Sequence, residues 1–211
     1  MRPEIFQIAI DGPSGAGKST IAKGLANRLN IDYVDTGAMY RAVGYAIQKE
    51  SISLADKKAL DTLLDNIKID IKKNHIVLNG NDISHEIRTP EITRISSEVS
   101  AWPEVRNKLV ALQQNMGKHK SLVLDGRDIG TNVFPRAKYK YFITASVEER
   151  SKRRWIELTN QGREIDIETV RKDIETRDYN DMHRDLNPLI KARDAVEIDT
   201  THMGIEQVIE K

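Results

Sequence analysis

Gly12-Pro13-Ser14-Gly15-Ala16-Gly17-Lys18-Ser19 matches G-x-x-x-x-G-K-[ST] at every position, and no other stretch of the chain constrains its fold as strongly. A loop of this kind works only between a buried strand and a helix. The flanks comply: Ile5-Phe6-Gln7-Ile8-Ala9-Ile10 is an apolar run ending at Asp11. Beyond the loop, Ile21, Leu25 and Leu29 recur at helical spacing, with Ala22 and Ala26 beside them. Glycines let the backbone curl so that successive N–H groups face a phosphate, and the helix N-terminus adds its own positive field. Gly12, Pro13, Ser14, Gly15, Ala16, Gly17, Lys18, Ser19 and Thr20 are therefore expected to cradle the phosphates of a nucleoside triphosphate. Lys18 is placed to reach the β- and γ-phosphates, and the Ser19 hydroxyl to ligate Mg²⁺. A guanine-reading N/T-K-x-D motif is absent, since Asn107-Lys108 runs on into Leu109-Val110. ATP is the expected donor.

The rest of the chain alternates strand and helix patterns at both ends and changes character in the middle. Ile31 to Val34 reads as a second strand, and Tyr40, Val43 and Ile47 as a second helix. That order predicts a parallel α/β sheet with helices on both faces. Ser53 and Asp56 resemble a capping pair ahead of Leu60, Leu63 and Leu64. Ile67, Ile69 and Ile71 alternate strictly, then Lys73-Asn74, His75 to Leu78 and Asn79-Gly80 follow, which reads as a small antiparallel hairpin or three-strand sheet. Thr89-Pro90 caps a helix bearing Ile92, Ile95 and Val99, and Pro103 starts another through Val105, Leu109, Leu112 and Met116. Core strands return at Leu122 to Asp125 and Tyr139 to Ile143. Ser146 with Glu149 opens an Arg-rich helix to about Gln161, and Asp166 can cap the next. Ala195 to Ile198 would be a last strand, and a last helix begins at Ile205.

Two further runs carry charge to the carboxyl ends of strands, where open α/β sheets bind ligands. The first is Asp35-Thr36-Gly37-Ala38-Met39-Tyr40-Arg41. Thr36 is a candidate helix cap, and Arg41 lies one helical turn in, where an acceptor phosphate needs a cation. The second is Asp125-Gly126-Arg127-Asp128-Ile129-Gly130. Asp125 can hold Mg²⁺ through water, Arg127 can fork onto phosphate oxygens, and Asp128 can accept from an exocyclic amine, which cytosine N4 offers and uracil lacks. A salt bridge that merely closes a turn is the competing reading of this run.

These segments, together with Arg177-Asp178 through Arg184, resemble the bacterial cytidylate kinases over nearly the whole chain. The resemblance implies a P-loop core at 1–40, 101–150 and 170–211. It also implies an inserted acceptor-binding lobe at about 41–100, enlarged over about 62–100, and a short LID at about 153–166. It implies transfer of the γ-phosphoryl group of ATP to CMP or dCMP. Cytosine contacts are implied for Ser97, Arg106 and Asp128, ribose contacts for Arg177 and Asp181, and phosphate contacts for Arg41, Arg127 and Arg184. Thr36 joins this acceptor set, and Arg153 is the LID residue expected to cover the transferring group. Two departures stand out: the family spelling commonly has arginine at the position of Asn180, and the chain ends inside its last helix, earlier than many relatives. The competing classes are another small P-loop kinase and a nucleotide-gated binding module without transfer activity.

Composition narrows the partners. Net charge is +1, which argues against a nucleic-acid binder held by a broad basic surface. Ten of the sixteen arginines nevertheless lie between Arg127 and Arg193, as suits a local anion pocket. Of Arg150, Lys152, Arg153 and Arg154 on one helix, most are expected to be simply solvated. Trp102 and Trp155 are read as packing residues. The five histidines lack metal-ligand spacing. No apolar run approaches the roughly 20 residues of a membrane span, Met1-Arg2-Pro3-Glu4 leads straight into the first strand, and cysteine is absent. A cytoplasmic monomer is the expectation.

Overall fold

The computed structural model describes residues 4–72 and 75–211. The readings at Met1 to Pro3 and at the Lys73-Asn74 turn lie outside the described residues. The chain divides into two compact units, Met1–Tyr33 with Lys120–Lys211, and Val34–His119.

The first unit opens with strand β1 (Gln7–Asp11), the phosphate-binding-type loop and helix α1 (Lys18–Leu29), then enters β2 (Asp32–Asp35), within which the chain passes to the second unit. The second unit holds α2 (Thr36–Lys49), α3 (Lys57–Asn66), the strands β3 (Ile69–Lys72), β4 (His75–Leu78) and β5 (Asn81–Asp82), a short 3₁₀ turn, α4 (Pro90–Val99) and α5 (Pro103–Gly117). The chain then completes the first unit with β6 (Leu122–Gly126), a π-type turn at Ile129–Val133, β7 (Tyr139–Thr144), α6 (Val147–Asn160), α7 (Ile167–His183), β8 (Val196–Asp199) and α8 (Ile205–Glu210).

The large sheet has the order β2-β6-β1-β7-β8, with β1 central and parallel to both β6 and β7, and β8 parallel to β7. Successive side chains of a strand point to opposite faces. Ile8, Ile10, Val123, Ile143 and Ile198 accordingly share one face and pack with Ile21, Ala22 and Ala26 of α1 and Val208 of α8. Leu122 and Leu124 alternate with Val123 and are equally inaccessible, so both faces of β6 are covered. Each large aliphatic side chain buried this way stabilises the fold by about 1.5–3 kcal/mol. A satellite cluster of Leu158, Val170 and Ile174 joins α6 to α7, and Trp155 packs on it while donating Nε1–H to the Ile165 carbonyl at 2.9 Å.

Within the second unit, β3-β4-β5 is the antiparallel sheet expected from the alternating isoleucines, with Ile69 opposite Leu78 and Ile71 opposite Ile76. Ile67 is not part of it; it closes the end of α3. Two expected caps shift. Asp35, not Thr36, caps α2 by accepting from the Ala38 N–H at 2.8 Å, and Thr36 is the buried first residue of the helix. A carboxylate at the N-terminus gains from both the orphan N–H and the helix dipole, which is why it outcompetes the hydroxyl beside it. Likewise Asp56 caps α3 through the Ala59 N–H, whereas Ser53 only closes a local turn with the Ala55 N–H. Thr89 caps α4 ahead of Pro90, and Ser146 and Asp166 cap α6 and α7 as expected. Among the described residues no helix is long and apolar enough to cross a membrane.

Candidate active site

β1 delivers the chain into the loop, and Gly17 opens α1 with no side chain closing the first turn, so the helix presents main-chain N–H groups. Lys18 is buried at 5% exposure, with Nζ donating to the Pro13 carbonyl at 2.6 Å. Burial, reinforced by the positive charges of Arg127 and Arg177, holds the Lys18 ammonium well below the usual lysine range, while Asp125 and Asp181 pull the other way. Next to it, the Ser19 hydroxyl donates to Asp125 Oδ2 at 2.7 Å, and the Tyr33 hydroxyl donates to Asp125 Oδ1 at 2.7 Å. Both carboxylate oxygens are thereby oriented. Among the described residues no group of three or more His, Cys, Asp or Glu could hold a metal by itself. The Ser19–Asp125 pair still fits Mg²⁺, a hard cation that keeps water and phosphate oxygens and needs only one or two protein oxygens.

The loop after β6 meets α7 in a second charged cluster. Arg127 Nε donates to Asp181 Oδ2 at 2.7 Å, and Arg184 Nη1 lies 3.7 Å from Asp181 Oδ1. Arg184 also donates to the Asn187 carbonyl at 2.6 and 2.8 Å and reaches Asp128 Oδ1 at 3.4 Å, while Asn132 donates to Asp128 Oδ2 at 3.1 Å. Burial works against charge on Asp181, yet Arg127 and Arg177 more than offset it and hold the carboxyl below its ordinary value. Burial likewise opposes the Arg127 cation, and the Asp181 carboxylate raises it above the usual arginine value. Lys18, Ser19, Asp125, Arg127, Asp128, Arg177, Asp181 and Arg184 thus all belong to the first unit, linked by hydrogen bonds or close charges.

Asp11 holds the base of this cluster in place. Its carboxylate, 4% exposed, accepts from the Ile129 N–H at 2.8 Å and the Gly130 N–H at 2.7 Å, pinning the turn that follows Arg127 and Asp128. Burial pushes its pKa up to about 6, against the pull of those two amides and with the nearby Asp128 charge adding to the rise. A raised carboxyl pKa means that the folded chain holds a proton which the unfolded chain releases near 3.8. The contribution of Asp11 to stability is therefore complete below about pH 3.8 and falls away as pH rises through about 6. Asp11→Asn removes this titration. The stability of the wild type relative to the variant should decline steadily between those limits in denaturant titrations. A difference independent of pH would rule the shift out.

Other expected positions are divided between the units. Arg153 is held by Glu149 Oε1 at 2.9 Å and by the hydroxyl and carbonyl of Thr200 at 3.1 and 2.7 Å. The segment between α6 and α7 is short, and Trp155 fastens it at Ile165. Arg150 departs from the solvated reading: it is 5% exposed and ion-paired with Asp178. Its helix face turns toward the phosphate loop, and a cation buried there needs several acceptors. Within the second unit, Arg41 pairs with Asp35 at 3.1 Å, and its buried Nε has no hydrogen-bond partner among the described residues. Arg106 is 1% exposed, donates to the Ser100 carbonyl at 3.0 Å and lies over the Tyr40 ring at 5.8 Å. Ser97 is half-buried on α4, with its carbonyl accepting from the Ser100 hydroxyl at 2.8 Å. Asn180 is exposed on α7.

Sequence reading missed Asp11, Tyr33, Arg150 and Asp178. For Asp11 a signal existed: a carboxylate ending an otherwise apolar central strand is costly to bury without donors. For the Arg150–Asp178 pair there was none.

Comparison with known proteins adds a family. A family model described as cytidylate kinase matches residues 8–211. A cytidylate kinase of Clostridioides difficile (strain 630) is 50% identical over 204 residues, which cover 97% of this chain and 94% of that protein. One from Lactobacillus johnsonii is 46% identical over 211 residues, covering 98% and 92%. Among solved structures, an uncharacterized protein from Eubacterium ventriosum aligns with a TM-score of 0.51 at 14% identity, over 97% of this chain and 94% of that one, a likeness of fold alone.

Proposed function

The chain belongs to the cytidylate kinase family, and from that membership we propose that it transfers the γ-phosphoryl group of ATP to CMP or dCMP, giving ADP and CDP or dCDP. The observation that carries the reading is the Lys18–Ser19–Asp125 arrangement at the end of β1 and β6, in a chain that matches the family almost throughout. In the proposed reaction an oxygen of the acceptor phosphate bonds to the γ-phosphorus as the bond from that phosphorus to the β-bridging oxygen breaks. The attacking oxygen is already an anion, so no side chain has to remove a proton.

The protein's task is then positioning and charge compensation. Lys18 leaves the Pro13 carbonyl for the β- and γ-phosphates, and an arriving polyanion favours the ammonium that burial disfavours. Ser19 and Asp125 would hold Mg²⁺, Asp125 through water, and the ion would draw charge from the phosphate oxygens. Arg127, Arg184 and Arg41 take the acceptor phosphate, Arg177 and Asp181 its ribose, and Arg153 the transferring group. Asp128, with Ser97 and Arg106, reads cytosine: a carboxylate accepts from N4–H₂ and repels the O4 that uracil has in its place. Thr36, the acceptor lobe at about 41–100 and a LID at about 153–166 belong to the same proposal, as do a monomeric state and a cytoplasmic location.

Side-by-side phosphorylation of CMP, dCMP, UMP and AMP tests the reading. Preference for UMP or AMP over both cytidine nucleotides overturns the substrate, and ATP binding without CMP-stimulated ADP release overturns the reaction. Asp128→Ala should lower kcat/KM for CMP by about 100-fold, the worth of one or two bidentate base contacts, with little change in ATP affinity. Equal losses for both nucleotides would refute the base-reading role.

A further inference from the structure

Ser14 stands at the crown of the phosphate loop, and both of its main-chain polar groups are taken by side chains from far along the sequence. Its N–H donates to Asp178 Oδ1 at 2.9 Å, and its carbonyl accepts from Arg150 Nη1 at 2.9 Å. The two side chains also hold each other, Arg150 Nη1 to Asp178 Oδ2, and Arg150 Nε is anchored on the Ala145 carbonyl at 3.0 Å. Both are almost fully buried. At Gly15 a Cβ would meet the Arg150 carbonyl oxygen at 3.1 Å, so the loop lies directly on the α6 backbone.

Asp178 occupies a particular place on α7. One residue before it is Arg177, one turn further on is Asp181, and just past the end of the helix is Arg184; the last two engage Arg127 and Asp128. Side chains three or four apart share a helix face, and neighbours do not. One face of α7 therefore carries Asp178 at the donor loop and, a turn further on, Asp181 at the cluster assigned to the acceptor, which Arg184 joins from the helix end. The Asp178 charge also reaches Arg127.

We propose that Arg150 and Asp178 are positioning residues for phosphoryl transfer: by gripping both main-chain polar groups of Ser14 they lock the donor loop to α7, so that donor and acceptor sites are set by one rigid helix. This rests on the kinase reading above. A glycine-rich loop has many accessible conformations, and only one aims its inner N–H groups at a polyphosphate. Tying Ser14 outward narrows those alternatives, and bound ATP narrows them further. Because the tie ends on α7, ordering of the loop by ATP also orders Asp181 and Arg184, and each ligand favours the other's site.

The test compares wild type with Arg150→Lys, Asp178→Asn and the double variant Arg150→Met/Asp178→Asn. The lysine keeps the charge beside Asp178 but offers one nitrogen in place of the fork that reaches the Ala145 and Ser14 carbonyls from two separate nitrogens. The double variant leaves neither partner as an uncompensated buried charge. Steady-state kinetics give KM and kcat, and CMP titrations with and without a non-hydrolysable ATP analogue give the coupling ratio. Wild type should bind CMP at least about fivefold more tightly with the analogue present. In the double variant the ratio should approach one, with the KM for ATP raised about tenfold. Arg150→Lys, the variant least disturbing to folding, should show part of both effects. A wild-type ratio of one overturns the proposal. So does any folded variant that melts earlier but keeps wild-type KM, kcat and coupling, because a mere brace behaves that way. If wild type fails to phosphorylate CMP, it is the kinase reading that falls. The clamp is then judged on analogue affinity alone, which must still drop about tenfold in the double variant.

Discussion

Gly12→Ala is expected to cost on the order of 4 kcal/mol, a large part of the net stability of a chain this size. An alanine Cβ at this position would lie 1.9 Å from the Ile143 carbonyl oxygen and 3.0 Å from its carbon. The backbone there has φ +147°, outside the range a side chain tolerates. Relief by movement is blocked from both sides. Ile143 belongs to β7, whose Tyr141 and Phe142 pair with Ile10 and Asp11 just before the glycine. Shifting either strand breaks a ladder in the middle of the sheet. The clash is backbone against backbone, so no rotamer change absorbs it. Thermal unfolding should show a midpoint lowered by about 10 °C or more. A midpoint within about 2 °C of wild type would mean that the close approach of loop and strand is not as described.

Lys18→Met should do the opposite: keep the fold and remove the reaction. The side chain is buried, and its charge is opposed by burial and by Arg127 and Arg177. Methionine matches its length with no charge to desolvate, so the unfolding midpoint should hold or rise. The proposed role of the ammonium lies at the phosphates, where charge moves during transfer. Losing one preorganised donor at such a place lowers kcat by about 10²–10³-fold. The measurement is CMP-dependent ADP release at saturating nucleotides, beside a melting curve. Retention of more than about a tenth of wild-type kcat would refute the catalytic role. A collapse in stability would show that the Lys18 bond to the Pro13 carbonyl supports the empty loop more than its charge strains it.

How much of this was legible beforehand depends on the range of the interaction. The loop between β1 and α1, the small antiparallel sheet, and the caps at Ser146, Thr89 and Asp166 are written within a few residues each. The caps at Asp35 and Asp56 were misassigned by position although the helices themselves were read correctly, because hydroxyls and carboxylates compete for the same few N–H groups. Arg150 was the larger miss. On α6 it sits among Lys152, Arg153 and Arg154, and nothing local distinguishes the one that is buried.

By itself, then, the sequence determined the strand–loop–helix that opens the fold, the acid at the end of β6, and the family. These rest on apolar periodicity and on motifs whose parts are neighbours in the chain. Only the tertiary structure decided what holds that machinery in shape. Asp11 reaches the Ile129 and Gly130 amides across 118 and 119 residues, and Ser14 reaches Asp178 across 164. Such partners are chosen by which strands lie side by side and which helix faces them. A buried charge accepts whichever donors that arrangement brings within 3 Å, as Asp11 does at 2.8 and 2.7 Å.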